Sequence, residues 1–352
     1  MPPARATRAE NHIAGLPTLA PGFLGLAKAL IASSQRVYPY RGPADLKDRI
    51  KYILRGLARP ASTRQWFQLL QNPELAIVVR NNPRITSKLQ RPYLYSGLKM
   101  ADRMQILREH YRFLTEYFSP TELERIYSKR GLVLAVLPHI GELGQFSVRL
   151  IFRRMCEKEG EITVFLMSDK TELPIMALSF TVTSFTEASR EIFLGGLQAF
   201  KLSYQHDLVV AVTRGLHGLR PKALLLYTVQ ELARLWNIPS LRAVSNERCI
   251  YRDLRLRKKK VLVNYDEFWL ESGGRLNDDG LFTLPAVFVP RPTETIKPNK
   301  RSLYKQRYAM LKNVSEQMER CLKIHPASQS PAGILNPLPS PATIAGNYSQ
   351  IG

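Results

Sequence analysis

Apolar residues fall along this chain in two rhythms. From about residue 20 to 130 they recur every three or four positions, as a helix face requires. Met100 to Phe118 is the clearest stretch, with Met104, Leu107, Tyr111 and Leu114 on one side. Pro120-Thr-Glu-Leu-Glu124 predicts another helix, with Ser119 as its N-cap. Beyond Gly131 the pattern changes. Leu132–Leu137, Phe146–Phe152, Ile162–Met167, Ile175–Val182 and Ile192–Leu194 are apolar runs of strand length, separated by charged or turn-forming residues. Strands arriving consecutively favour antiparallel pairing, with helices packed on the sheet. Asp207–Val212 and Ser240–Ser245 read as further strands, on either side of a helix opening near Pro221. Val261–Asn264 and Leu281–Pro285 are expected at the sheet edges, and Asn299 to about Leu322 as a basic terminal helix.

The fold class that follows is α+β. A loose N-terminus (1–19) precedes a helical layer (20–130). An α+β domain (131–325) holds a mostly antiparallel sheet, and a Pro-, Ser-, Gly- and Ala-rich tail (326–352) is expected to be disordered. The change near residue 130 is one of composition, not a linker, so both parts are expected to pack as one body.

The most informative segment is Thr213-Arg-Gly-Leu-His-Gly-Leu-Arg-Pro-Lys222. It sets two glycines, a histidine and three cations just before a helix. The first N–H groups of a helix lack internal partners, and its dipole is positive there, so a phosphate or carboxylate fits. Pro221 suits the first helical turn. Gly215 and Gly218 permit close approach, while Arg214, Arg220 and Lys222 supply charge. The alternative is a plain helix start under a solvated basic loop.

Charge strengthens the interest in anions. The chain has 352 residues, 51 basic and 29 acidic, for a formal net charge of +22. That excess attracts nucleic acid, anionic lipid or phosphorylated ligands without choosing among them. Basic groups gather at Arg248–Lys260 and again at Lys297–Arg307, with no nucleic-acid-binding motif beside them. Cys156, Cys249 and Cys321 are far apart and form no CxxC pair, and the histidines show no metal-ligand spacing. A reduced, cytoplasmic protein without a metal is expected. No apolar run reaches the length of a membrane span. Residues 20–33 are mildly amphipathic and lack the pattern of a signal peptide, leaving either a packing helix or one lying on a membrane surface.

Three other segments offer chemistry. His139 and Glu142 share a Gly-containing turn and would suit proton transfer. Gly195-Gly-Leu-Gln198 reads as a bulge, a close approach or a strand-ending turn. In Tyr265–Glu271, Tyr265 or Asp266 is a candidate acid or base, with Phe268 and Trp269 as packing residues.

Seven segments in order resemble the bacterial VirK/YbjX family. They are His110-Tyr-Arg-Phe-Leu114, Gly141-Glu-Leu-Gly144, Gly195-Gly-Leu-Gln198, His217-Gly-Leu-Arg-Pro-Lys222, Val244-Ser-Asn246, Tyr265-Asp-Glu-Phe-Trp269 and Lys300-Arg-Ser-Leu-Tyr304. The resemblance implies a context of virulence, envelope integrity and stress response, not a reaction. The most concrete reaction comes from fold-level analogy with GNAT acyltransferases. Arg214, Gly215, His217, Gly218, Arg220 and Lys222 would then hold the pyrophosphate of coenzyme A or an acyl-coenzyme A. Glu142 or His139 would take a proton from an amine, and Tyr265 would protonate the leaving thiolate. The competing readings are a peripheral protein on an anionic membrane surface, such as the inner membrane, and a nucleic-acid-binding stress protein.

Overall fold

A computed structural model describes residues 16–186, 189–200, 205–252 and 264–322. The helical layer forms α1 (Gly22–Val37), α2 (Pro43–Leu57), α3 (Pro60–Leu70), α4 (Ala76–Asn81), α5 (Met100–Tyr117) and α6 (Pro120–Ile126). A 3₁₀ segment, Pro83–Gln90, joins α4 to the loop before α5. Proline opens α2, α3 and α6, where a missing N–H costs nothing. Ser119 caps α6 as expected, in a reciprocal capping box with Glu122. Leu16 is buried, and Pro17 O accepts from the Gln71 side chain. The end of the segment expected to be loose is therefore tied down.

The sheet contains β1 (Leu132–Val136), β2 (Phe146–Ile151), β3 (Ile162–Ser168), β4 (Leu173–Thr186), β5 (Ser189–Ala199), β6 (Ser240–Val244), β7 (Arg275–Leu276) and β8 (Leu281–Leu284). Its order is β1-β2-β3-β4-β5-β6-β8-β7. Every neighbouring pair is antiparallel except β5/β6, which run parallel. A parallel pair needs a crossover. Here it is made by α7 (Gln205–Gly215) and α8 (Pro221–Leu235), and α8 packs on β3, β4 and β6. α9 (Tyr265–Glu271) follows β6, and α10 (Arg301–Leu322) lies against β1 and α8.

Three expectations need correction. Asp207–Val212 is helical, within α7, not a strand. A short apolar run cannot be assigned by periodicity alone, and burial of Val212 and Leu216 one turn apart suits a helix. Gly195–Gln198 does not end a strand but lies inside β5. Leu281–Leu284 is flanked by β6 and β7, so the edge is β7. Val261–Val263, the latter half of the Arg248–Lys260 group and the tail from Pro326 lie outside the described residues.

One core joins both halves. Trp66, Phe67 and Tyr111 of the helical layer belong to the same apolar cluster as Phe180, Leu194 and Leu241 of the sheet. A buried ion pair also links them. Lys88 Nζ meets Glu161 Oε1 at 2.7 Å, both nearly inaccessible, and Lys88 also bonds Glu157 O. Tyr111 donates to the other Glu161 oxygen. Beside them, His110 Nδ1 accepts from Val182 N–H at 3.2 Å.

The edge strand β1 is braced by α10. Gln317 Oε1 accepts from Val136 N–H, and Gln317 Nε2 donates to Val136 O, both at 2.9 Å.

Candidate functional site

The loop from Leu216 to Arg220 connects two helices. α7 ends in a Schellman arrangement: Gly218 N–H bonds Thr213 O at 2.8 Å and His217 N–H bonds Arg214 O at 3.1 Å. His217 holds the left-handed position of that motif, at φ 53°, where glycine is usual. Its carbonyl accepts from Arg307 Nε and Nη2 at 3.1 and 2.9 Å, so α10 clamps the turn. Gly215 has a packing reason. A Cβ there would stand 2.3 Å from the Ile140 side chain, so the glycine lets the His139–Gly144 turn press against α7.

α8 begins at Pro221 with Arg220 at its N-cap, whose side chain makes no capping hydrogen bond. Arg220 reaches Glu271 of α9 at 2.7 Å, and Lys222 lies 3.6 Å from the same carboxylate. Lys222 Nζ also sits over the Phe268 ring, 4.6 Å from its centre. The Arg220 hydrogen bond holds the Glu271 carboxyl below its usual range, aided by both cations.

Arg220, Phe268 and Glu271 border a cleft of about 430 Å³ between α8, α9, the segment after β8 and α10. Leu219, Leu226, Phe268, Phe288 and Tyr308 give it apolar walls, and Arg220, Arg291 and Arg307 are among its cations. It has the character of a ligand site: mostly apolar, with a few polar groups converging. Gly218 and Arg220 line it, whereas Arg214, Gly215, His217 and Lys222 do not.

Tyr265 lies apart from the cleft, buried at the start of α9. Asn246 and α9 hold each other: Asn246 Oδ1 accepts from Tyr265 N–H at 2.8 Å, and Asp266 accepts from Asn246 N–H at 2.7 Å. Trp269 Nε1 donates to Val244 O at 2.8 Å. Val244–Asn246 and Tyr265–Trp269 are thus two halves of one junction. Burial pushes the Tyr265 phenol far above its usual range, reinforced by Glu159 and Cys249, while the Leu197 backbone hydrogen-bonds the hydroxyl. It stays protonated and is a weak acid.

Leu197 belongs to the stretch of β5 beyond its parallel pairing, which stops at Leu194–Ala243. A bulge lies there, because Phe180 faces Leu194 while Ser179 faces Gly196. Added Cβ atoms at Gly195 and Gly196 would meet Glu159, its carbonyl at 1.9 Å and its carboxylate at 2.4 Å. Both the bulge and the close approach expected of this pair are present. Gln198 Nε2 donates to Glu159 Oε2 at 2.6 Å.

His139 and Glu142 are exposed on the β1–β2 turn, where Lys170 Nζ donates to Glu142 O at 3.1 Å. Both sit on this turn, and strands β2 to β5 separate it from the β6–α9 junction. Cys156, pushed up to about 12 by burial and then by Glu159, is an inert thiol. Among the described residues no cluster of His, Cys, Asp or Glu has metal-binding geometry.

Comparison with known proteins gives the chain its family. The profile described as "Protein of unknown function (DUF535)" matches residues 41–320. The uncharacterized protein YbjX of Escherichia coli (strain K12) is 33% identical over 274 residues, which is 77% of this chain and 82% of the relative. The chain belongs to the DUF535 family, together with YbjX. Two uncharacterized proteins of Haemophilus influenzae are 25% and 24% identical, over 60% and 82% of this chain and 68% and 94% of their own lengths. No solved structure matches. The DUF535 match reaches from just before α2 into α10 and so includes every wall of the cleft.

Glu271, Arg291 and Arg307 were not singled out for the site by the sequence. They approach the loop only through the fold. One signal was available: Tyr304, Arg307 and Tyr308 fall on one face of α10, as three- and four-residue spacings require.

Proposed function

We propose that the protein is an acyl-coenzyme A-dependent acyltransferase of the GNAT type, its cleft holding the phosphates of the coenzyme. One observation carries this reading. The parallel pair β5/β6 is joined by α7 and α8, and the first turn of α8 opens on a cleft lined by cations and apolar side chains. Helix starts favour phosphate. The likeness to GNAT enzymes is one of strand and helix order, an analogy of fold.

Arg220 would bind phosphate in exchange for its pairing with Glu271, and Lys222, beside the cleft, would add its charge. The apolar walls would take the uncharged arm. In the reaction the acyl carbon–sulfur bond breaks and a carbon–nitrogen bond forms on an amine acceptor. The amine nitrogen gives up a proton as the new bond forms and the departing thiolate takes one up, so the products are an amide and a free thiol. Tyr265, buried apart from the cleft, is given no step. Glu142 and His139 line neither the cleft nor the Tyr265 junction, and they are given no step.

Thermal unfolding with coenzyme A and acetyl-, medium- and long-chain acyl-coenzyme A tests the reading. A ligand at about a hundred times its Kd stabilises the native state by ~2.7 kcal/mol. Stabilisation by coenzyme A that is lost in Arg220→Ala/Lys222→Ala is expected. An unchanged melting temperature with every one of these ligands rejects it.

A further inference from the structure

We infer that the outer face of α1 and α2 docks the protein on an anionic bilayer surface. Sixteen large apolar residues are prominently exposed among the described residues, and seven of them lie between positions 23 and 54: Phe23, Leu24, Ile31, Tyr40, Leu46, Ile50 and Leu54. Three form a stripe. Leu46, Ile50 and Leu54 follow one another at four-residue intervals on α2 and are each at least half exposed. Tyr52 and Gly56, on the opposite side of the helix, are buried, and the Leu30 side chain of α1 abuts Gly56. The inner face therefore meets the protein, while the outer one presents leucine and isoleucine.

Cations lie alongside that stripe. At 100° per residue, Lys47, Lys51 and Arg55 follow its edge around the α2 surface. Between Pro21 and Ala58 there are seven basic and two acidic residues. This combination selects the partner. A second copy of this chain across a two-fold axis would set the same patch against itself, cation facing cation. Nucleic acid would satisfy the cations and leave the apolar stripe in water. The interface of an anionic bilayer takes both at once. Apolar side chains enter the acyl boundary, and Lys and Arg stems extend along it with their charges among the phosphates.

Flotation of the full chain with two vesicle types decides the matter: phosphatidylcholine alone, and phosphatidylcholine mixed with phosphatidylglycerol. The protein is expected to float with the mixed vesicles at low salt and to be released as salt rises. Leu46→Ser/Ile50→Ser/Leu54→Ser is expected to lower partitioning on the order of tenfold or more. Lys47→Gln/Lys51→Gln should lower it on the order of tenfold. All five side chains are exposed, so an unchanged melting temperature verifies that the variants are folded. Arg220→Ala/Lys222→Ala should float like the parent, which separates this face from the coenzyme cleft. No flotation, or equal flotation of parent and triple-serine protein, overturns the inference. So does a parent dimer that the triple-serine change converts to a monomer in light scattering.

Discussion

Lys88–Glu161 and Arg220–Glu271 are ion pairs of equal length, 2.7 Å, in opposite settings. The first is dry, with side-chain exposures of 5% and 0%; the second is open, at 52% and 39%. Around Glu161 the protein supplies further partners. Burial alone would raise its carboxyl, but Lys88, His110 and the hydrogen bonds of Lys88 and Tyr111 hold it below its usual range. Glu271, by contrast, is one carboxylate shared by two cations, beside a cleft that other arginines line. The comparison teaches that charge pairing alone does not mark a site. A pair enclosed by its own fold joins two layers, whereas a pair that water can reach is able to exchange partners.

The strongest way to break this contrast is at Lys88. Lys88→Met leaves a buried carboxylate without its cation, and stability should fall by about 3–5 kcal/mol. Adding Glu161→Gln removes the stranded charge and should recover much of the loss. Urea unfolding of the single and double variants measures both, and an additive double variant would refute the coupling.

The next largest effect concerns pH. Burial, only partly offset by Glu161, lowers the His110 imidazole to about 4. In the unfolded chain it takes up a proton near 6.5. The folded state therefore favours the neutral ring. Its contribution is full above about pH 6.5, declines as pH falls toward 4, and levels off below that. The whole change is on the order of 3 kcal/mol. Urea titrations should show a smaller loss between about pH 7 and pH 5 for His110→Asn than for the parent. Equal losses would remove His110 from the account.

The smallest effect on stability is expected at Glu271. Glu271→Gln should leave the melting temperature nearly unchanged, since exposed pairs contribute little. It should tighten coenzyme A binding by freeing Arg220 and Lys222, as calorimetric titration can measure. Weaker binding would mean that Glu271 positions the cations instead of competing for them.

The legible parts of the fold were those with local causes. The α5 periodicity, the Ser119 cap and the apolar runs of β1 to β4 each follow from near neighbours in the chain. α7 was misread because Leu-Val-Val-Ala-Val suits either structure until its burial is known. The basic loop was legible as a helix start. Its counter-ion, 51 residues away, was not, and neither was the α10 clamp on His217. Glu159 explains the paired glycines of β5, yet nothing in its own surroundings announces a buried carboxylate. Residue type alone singles out Tyr265, and its separation from the His139–Glu142 turn emerges only from strand order.

The Gln317 side chain has a consequence for how the molecule lives among its copies. A primary amide carries the same donor and acceptor as one link of backbone, and here it fills the place where a foreign strand would begin to zip onto β1. At the far margin, two residues of β7 offer too little length for a newcomer to grip. Eight strands are thereby closed to a ninth. Chains that lose α10 should be the ones that stick together, a hazard to be met during synthesis, before α10 has left the ribosome.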